Sequence, residues 1–147
     1  MSGNGPHSPD LYIENGNLIA MSWSPENNDL YIESSSFVND NNWHFAGFTH
    51  NEDGSFCLYL DGELIDCFNN PNTGREANFI LGRYNTNEKY FSGNMDDVQV
   101  WDSALSQEQI QANMSSEIIG SEEGLVGYWN FNAVSYTHLT LPTIYSV

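Results

Sequence analysis

Residues 43–67 read WHFAGFTHNEDGSFCLYLDGELIDC, and this stretch decides the fold. Residues 43–50 alternate in side-chain direction with apolar groups on both faces, as expected for a central strand of a two-layer structure. The four turn-forming residues 51–54 then reverse the chain. Residues 55–60 form the next predicted strand. Asp61-Gly62 follows as a hairpin signal, and residues 63–67 form the predicted second strand of the hairpin. The stretch therefore predicts consecutive strands joined by tight turns.

The two cysteines of the chain, Cys57 and Cys67, lie in the two arms of this hairpin. A cross-strand disulfide between them is conceivable, but it depends on the strand register, which the sequence leaves open. Two cysteines do not make a disulfide framework, and they do not identify a cellular compartment.

Outward from this stretch, the chain consists of short apolar segments separated by turns rich in Gly, Asn, Asp and Pro. The strand-like segments are residues 11–13, 18–21, 30–33, 79–83, 98–101 and 125–131. The spacing of the apolar residues changes from that of strands to that of a helix only once. There, Ser106 and Gln109 have the form of a capping box, and Ile110 and Met114 give a short helix one apolar edge. This order predicts an all-β antiparallel two-sheet sandwich with one short helix.

The charge of the chain is strongly one-sided, since three Lys and Arg residues against 20 Asp and Glu residues give a net charge of −17 at pH 7. This sign excludes nucleic acid as a partner and disfavours anionic membrane surfaces. The sequence also contains no apolar run long enough for a transmembrane helix. Solubility explains the acidity, and the functional alternative is that some carboxylates bind Ca²⁺, the one cofactor that the composition suggests.

Five segments of the chain, taken in their order along the sequence, resemble the motifs of a known family. They are WHFAGFT (43–49), LYLDG (58–62), ILGR (80–83), FSGNMDDVQVW (91–101) and ALSQEQI (104–110). Together they resemble the laminin-G-like, concanavalin A-like lectin/glucanase superfamily, to which pentraxins are related. The resemblance implies a concanavalin-like jelly roll, and we expect Trp43 and Trp101 to fill the core between its two sheets.

The resemblance also predicts the domain organisation. Residues 1–132 are expected to form one laminin-G-like domain that lacks the opening segment of the family and belongs to a longer, multi-domain chain. Residues 133–147 are predicted to be a non-native tail, because residues 134–143 resemble a translated adapter of sequencing libraries. The alternative is a genuine apolar β tail.

Some relatives are glycoside hydrolases, which need two carboxylates flanking the bond that is cleaved. In the laminarinase-type relatives, the carboxylates come from an E-x-D-x-x-E or E-x-D-x-E stretch, which places them on one face of a strand. No such stretch occurs here, and Glu63 and Asp66 fall on opposite faces. The histidines match neither a zinc motif nor a serine-hydrolase motif. We therefore predict no catalytic residues and a protein that is not an enzyme.

Calcium has three candidate segments, the oxygen-rich residues 40–42, 51–53 and 96–97. None has a diagnostic calcium loop, and carboxylates of solvated turns are the default interpretation. The metal ligands are therefore left open.

Carbohydrate binding needs an exposed aromatic ring together with amide or carboxylate groups that bind hydroxyls. Tyr84, Asn85, Asn87 and Tyr90 offer these within one loop and are the predicted ligand-binding residues, although Asn is common in turns for conformational reasons alone. We predict a non-catalytic extracellular or cell-surface module for recognition or adhesion, which binds a glycan or an extracellular protein, with Ca²⁺ as an optional aid. The alternatives are a structural spacer domain of a large surface protein and a remnant of a glycoside hydrolase.

Overall fold

The computed structural model describes residues 10–22, 30–69, 80–83 and 90–131. Its elements in chain order are β1 (Asp10–Glu14), β2 (Asn17–Ser22), β3 (Leu30–Phe37), β4 (Ala46–His50), β5 (Ser55–Leu60), β6 (Glu63–Asn69), β7 (Val98–Trp101), α1 (Gln107–Ser115) and β8 (Leu125–Trp129). The strands form antiparallel sheets in the orders β1-β2-β3, β4-β5-β6 and β7-β8. The described residues contain no apolar helix of the length that a membrane span requires.

The first sheet is a meander of β1, β2 and β3. The β1–β2 turn is Asn15-Gly16, and both residues have positive φ, at 52° and 92°. This conformation is the one that makes Asn-Gly favourable in two-residue hairpins, so the predicted hairpin is confirmed. The β2–β3 register shifts between Asn17 and Ile19, and there the buried Ser34 hydroxyl accepts a hydrogen bond from the Leu18 N–H at 2.9 Å. The Ser34 side chain thus provides an acceptor for the Leu18 N–H, which has no ladder partner at the register shift.

The second sheet contains the hairpin of β5 and β6 with β4 along its other side. The turn residues Asp61 and Gly62 have φ of 53° and 79°, which confirms the predicted tight turn. The register places Cys57 directly opposite Cys67, and the two form a disulfide. The pairing that the sequence left open is therefore resolved by the β5–β6 register.

The core lies between the first two sheets. Its buried residues are Leu18, Ala20 and Ile32 of the first sheet and Phe56, Leu58 and Leu60 of the second. The Phe56 ring is fully buried and stacks between Phe48 and Phe68, with ring centroids 5.2 and 4.9 Å apart. Two antiparallel layers with rings between them are the predicted fold, and this part of the prediction is confirmed.

Helix α1 covers the opposite face of the second sheet. Ile110 is buried there against Cys57 and Tyr59, with the half-buried Leu105 beside them. The helix begins with the predicted capping box, since Ser106 Oγ accepts from the Gln109 N–H and the Gln109 side chain accepts from the Ser106 N–H. Strand β5 is consequently buried on both faces, which explains its continuous apolar sequence.

Strand β7 precedes the helix in the sequence and β8 follows it, and the two strands pair with each other. Next to this pair, the Tyr128 hydroxyl donates a hydrogen bond of 2.6 Å to Asp97. That bond and burial raise the pKa of Tyr128 to about 12. Asp97 therefore ties the start of β7 to β8.

Trp43 does not fill the core, so the prediction for this residue is wrong. Its side chain is 68% exposed, because β4 begins only at Ala46 and the alternation does not extend back to Trp43. Trp101 is half-buried, and its indole N–H donates to Gln99 Oε1 at 3.2 Å. The strand predicted at 79–83 is described only from 80, where Arg83 forms an isolated bridge with Tyr90. The tail predicted at 133–147 lies outside the described residues.

Replacing Phe56 with alanine is expected to lower the free energy of unfolding by about 3–5 kcal/mol, because the stacked rings on both sides cannot close the cavity. Urea unfolding followed by circular dichroism measures the change. Ile119→Ala is the control, since this side chain is 76% exposed and its loss should change stability by no more than about 0.5 kcal/mol. Equal effects of the two substitutions would contradict the assigned core.

Candidate functional site

The ligand-binding loop predicted from the sequence is described only at its end. Tyr84, Asn85 and Asn87 lie outside the described residues. Tyr90 is 67% exposed, and its neighbour Phe91 donates a backbone hydrogen bond to Gly82 at 2.8 Å. The tyrosine thus stands in solvent, as an aromatic contact residue requires, while the rest of this site stays a prediction.

A second set of exposed rings lies on the outer side of the first sheet. Tyr31 and Phe37 of β3 are 62% and 64% exposed, and Tyr12 of β1 is partly exposed. We call these three residues, with the polar side chains of Asn17 and Glu33, the aromatic face. Flat rings that stand in water beside hydrogen-bonding groups are the usual components of a sugar-binding surface.

The strand registers place these side chains on one face. Tyr12 and Glu33 are both partners of Ile19, and Phe37 is the partner of Asn17. Leu18, Ala20 and Ile32 point into the core, so the residues that alternate with them point outward. Ile19 itself is only 5% exposed although it lies on the outer side, because its neighbours on that face cover it. The face is therefore a continuous layer of side chains.

The polar groups of the aromatic face are held in place. Asn17 Nδ2 donates a hydrogen bond to Glu33 Oε1, across the two strands. The side-chain oxygen of Asn17, Oδ1, is covered from solvent and is the one buried side-chain polar atom without a hydrogen-bond partner among the described residues. An unsatisfied acceptor of this kind is unfavourable and calls for a functional or structural explanation.

The sequence reasoning missed this face, although a signal was present. Tyr31, Glu33, Ser35 and Phe37 alternate with Ile32 and Ser34, which is the pattern of a half-buried strand. The pattern alone does not say which alternate set is inside, because both sets contain a large apolar residue. Only the pairing with β2 shows that Tyr31 and Phe37 face outward.

His44 is the centre of a polar cluster at the tip of the β5–β6 hairpin. Its Nδ1 lies 2.9 Å from Asp61 Oδ2, and its Nε2 lies 3.1 Å from Asp40 Oδ1. Asp61 Oδ1 also accepts the Phe45 N–H at 3.0 Å. Both ring nitrogens can donate only when the imidazole is protonated, so the hydrogen bonds to Asp61 and then Asp40 raise the pKa of His44 above its usual value.

Asp40 is correspondingly stabilised as a carboxylate. The side-chain and backbone N–H groups of Asn42, and then His44, lower the pKa of Asp40 to about 2. The two nitrogens of His44 lie against different carboxylates, so the imidazole links Asp40 to Asp61. This cluster therefore fixes the segment before β4 to the hairpin tip.

The segments considered for calcium use their oxygens within the chain. Asp40 binds Asn42 and His44, as described above, and Asp53 Oδ1 accepts the Ser55 N–H at 2.8 Å. Asp97 accepts from Tyr128. Within the parts of the chain that the structure describes, no group of three or more His, Cys, Asp or Glu residues is arranged to hold a metal ion.

The carboxylates considered for catalysis also have local partners. Glu63 accepts hydrogen bonds from Gln107 and Gln111 of the helix, at 3.0 and 3.1 Å. Asp66 Oδ1 accepts the N–H of its neighbour Cys67 at 2.8 Å. These contacts dock the helix on the hairpin and fix strand β6.

Comparison with known proteins gives one family and one solved structure. A family model described as the concanavalin A-like lectin/glucanases superfamily matches residues 1–111. No curated protein matches the sequence. The chain is similar to the crystal structure of an S-layer domain-containing protein from Clostridium thermocellum, with 20% identity and a TM-score of 0.45. The match covers 78% of this chain and 59% of that chain, so the protein spans less than two thirds of the solved structure.

The His44 cluster predicts a pH dependence of stability. Because folding raises the pKa of His44, its contribution to stability is complete below the unfolded pKa near 6.5 and is lost as the pH rises through the folded pKa. The difference in melting temperature between the wild type and His44→Gln should therefore be largest at pH 5.5 and should shrink towards pH 9. Thermal unfolding across this range measures it. A difference that grows with pH would show that His44 is not held as the cation.

Proposed function

The chain belongs to the concanavalin A-like lectin/glucanase superfamily, and from this membership we propose that it is a non-catalytic module that recognises glycans through the aromatic face. The observation that carries the proposal is the exposure of Tyr31 and Phe37 on the same side of β3. A single exposed ring is common on a protein surface, whereas several on one face often mark a binding site, and here Tyr31 and Phe37 share a face with Tyr12.

The chemistry of the aromatic face supports a sugar as the ligand. A pyranose ring has apolar C–H groups that pack on an aromatic ring and hydroxyl groups around its rim. Tyr31, Phe37 and Tyr12 supply the rings, and the hydrogen-bonded pair of Asn17 and Glu33 supplies an amide and a carboxylate. A protein partner with an apolar patch would use the rings but has less need of the polar pair, so we favour the glycan.

We propose that the module has no hydrolytic activity. Cleavage of a glycosidic bond by the usual mechanism needs two carboxylates on opposite sides of one bond. The sequence lacks the E-x-D-x-x-E stretch of the laminarinase-type relatives. Glu63 and Asp66 are engaged with the helix and with the neighbouring backbone. These observations favour recognition without chemistry.

An extracellular or cell-surface location is part of the proposal. The disulfide between Cys57 and Cys67 supports it, because disulfides persist in oxidising compartments and are rare in the cytosol. The net charge of −17 is compatible with a protein that must stay soluble in a salt-containing medium. Assistance by Ca²⁺ is a further element of the proposal and is tested together with binding.

A glycan array probed with the full chain is expected to give binding to neutral oligosaccharides. Tyr31→Ala and Phe37→Ala should each weaken binding of the best oligosaccharide about tenfold, which corresponds to roughly 1.4 kcal/mol, since each removes one stacking ring. Isothermal titration calorimetry measures the change. Parallel titrations with Ca²⁺ and with a chelator show whether the metal contributes.

Trp43→Ala is the matched control, because Trp43 is as exposed as the two rings but lies outside the first sheet. It should leave the affinity unchanged. Loss of binding in this control would place the site elsewhere, and an array without any binding would favour the alternative role of a structural spacer.

The full chain is expected to release no reducing sugar from β-glucans over a prolonged incubation, because it lacks the paired carboxylates. A reducing-end assay with a laminarinase as the positive control measures this. Release of reducing sugar that is abolished by Glu63→Gln would establish a glycosidase and would overturn the proposal.

A further inference from the structure

The two most exposed rings of the aromatic face lie at its opposite ends. Tyr31 is the register partner of Met21, and Phe37 is the partner of Asn17. The two β2 positions opposite the rings are four residues apart, which corresponds to about 13 Å along a strand. On β3 the same interval takes six residues, because the register between the two strands shifts there. A single sugar that packs on one ring therefore does not reach the other.

The ring of Phe37 is held in place by the β1–β2 turn. A Cβ at Gly16 would lie 2.9 Å from Phe37 Cδ1, so the ring packs against the turn where glycine leaves room. The Val38 N–H donates to the Gly16 carbonyl at 2.8 Å, which ties the end of β3 to the same turn. The ring is nevertheless 64% exposed. A ring that is fixed on one side and open on the other loses little conformational freedom when a ligand packs on it.

Carboxylates lie between and beside the two rings. Glu33 lies on β3 between Tyr31 and Phe37, and Glu14 of β1 is the register partner of Asn17. Both carboxylate side chains are exposed, and the sequences of β1, β2 and β3 contain no Lys or Arg. The whole chain has only three such residues against 20 acidic ones. The aromatic face therefore repels a glycan with uronate or sulfate groups, whereas the hydroxyl groups of a neutral sugar can donate to the carboxylates.

We propose that the aromatic face binds an uncharged, linear glycan along its length, with Tyr31 and Phe37 on two different sugars. An extended glycan advances by about 5 Å per sugar, roughly one and a half strand residues, so about three consecutive sugars cover the distance between the rings. A single terminal sugar would contact only one of them. This inference rests on the proposed function and adds the length and the charge of the ligand to it.

Isothermal titration calorimetry of the full chain with dimers and pentamers of β-1,4-linked glucose and of β-1,4-linked mannose tests the length. At least one pentamer should bind about tenfold more tightly than its dimer, because only the pentamer packs on both rings. Tyr31→Ala should remove this advantage, whereas Trp43→Ala should keep it. Equal affinities of dimer and pentamer, or binding on the glycan array without binding of either pentamer, would overturn this inference and leave the proposed function standing. An array without any binding would overturn both.

The charge is tested with the matching uronate pentamers, of β-1,4-linked glucuronate and mannuronate. At low salt each should bind at least about tenfold more weakly than its neutral counterpart, and the difference should shrink as the salt concentration rises. Glu14→Gln should narrow the difference, because it removes one charge from the face. Asp66→Asn is the matched control, since it removes one exposed carboxylate from β6 and should leave the difference unchanged. Tighter binding of a uronate pentamer, or equal effects of the two substitutions, would overturn the inference.

Discussion

Strand β5 must be covered on both of its faces, and the rest of the molecule is arranged around that requirement. Phe56, Leu58 and Leu60 point to the first sheet, while Cys57 and Tyr59 point to the helix. All five residues from Phe56 to Leu60 are buried, and the strand lies at the centre of its sheet with β4 and β6 on either side. The burial of about five large side chains supplies much of the hydrophobic stabilisation of this small fold.

Three of the five segments that carry the family resemblance meet around this strand, namely residues 43–49, 58–62 and 104–110. The hairpin tip Asp61-Gly62 receives His44 and the Phe45 N–H on one side, and Gln111 donates to the Gly62 carbonyl at 3.1 Å on the other. These residues come from two of the five resembling segments, and Gln111 directly follows a third. Their contacts are structural, which explains why the resemblance identifies the fold and leaves the ligand open.

The parts of the structure that depend on interactions between neighbouring residues could be predicted from the sequence. The tight turns at Asn15-Gly16 and Asp61-Gly62 and the capping box at Ser106 depend on a few neighbouring residues, and all three are confirmed. Trp43 could not be placed correctly, because alternation does not reveal where a strand begins. The disulfide and the aromatic face depend on register between strands, which no local pattern fixes. The ligand loop predicted at residues 84–90 is described only at Tyr90 and stays a prediction.

The hairpin tip has a consequence for how this architecture can vary. Two-residue turns between strands are ordinarily positions where chains gain or lose residues with little harm, because they lie at the surface. Here a Cβ at Gly62 would lie 2.8 Å from the sulfur of Met114, so the helix sits directly on the turn. One inserted residue would separate the helix and the His44 segment from the hairpin together. Length changes should therefore accumulate in the other connections of this fold, and the β5–β6 turn should keep its length.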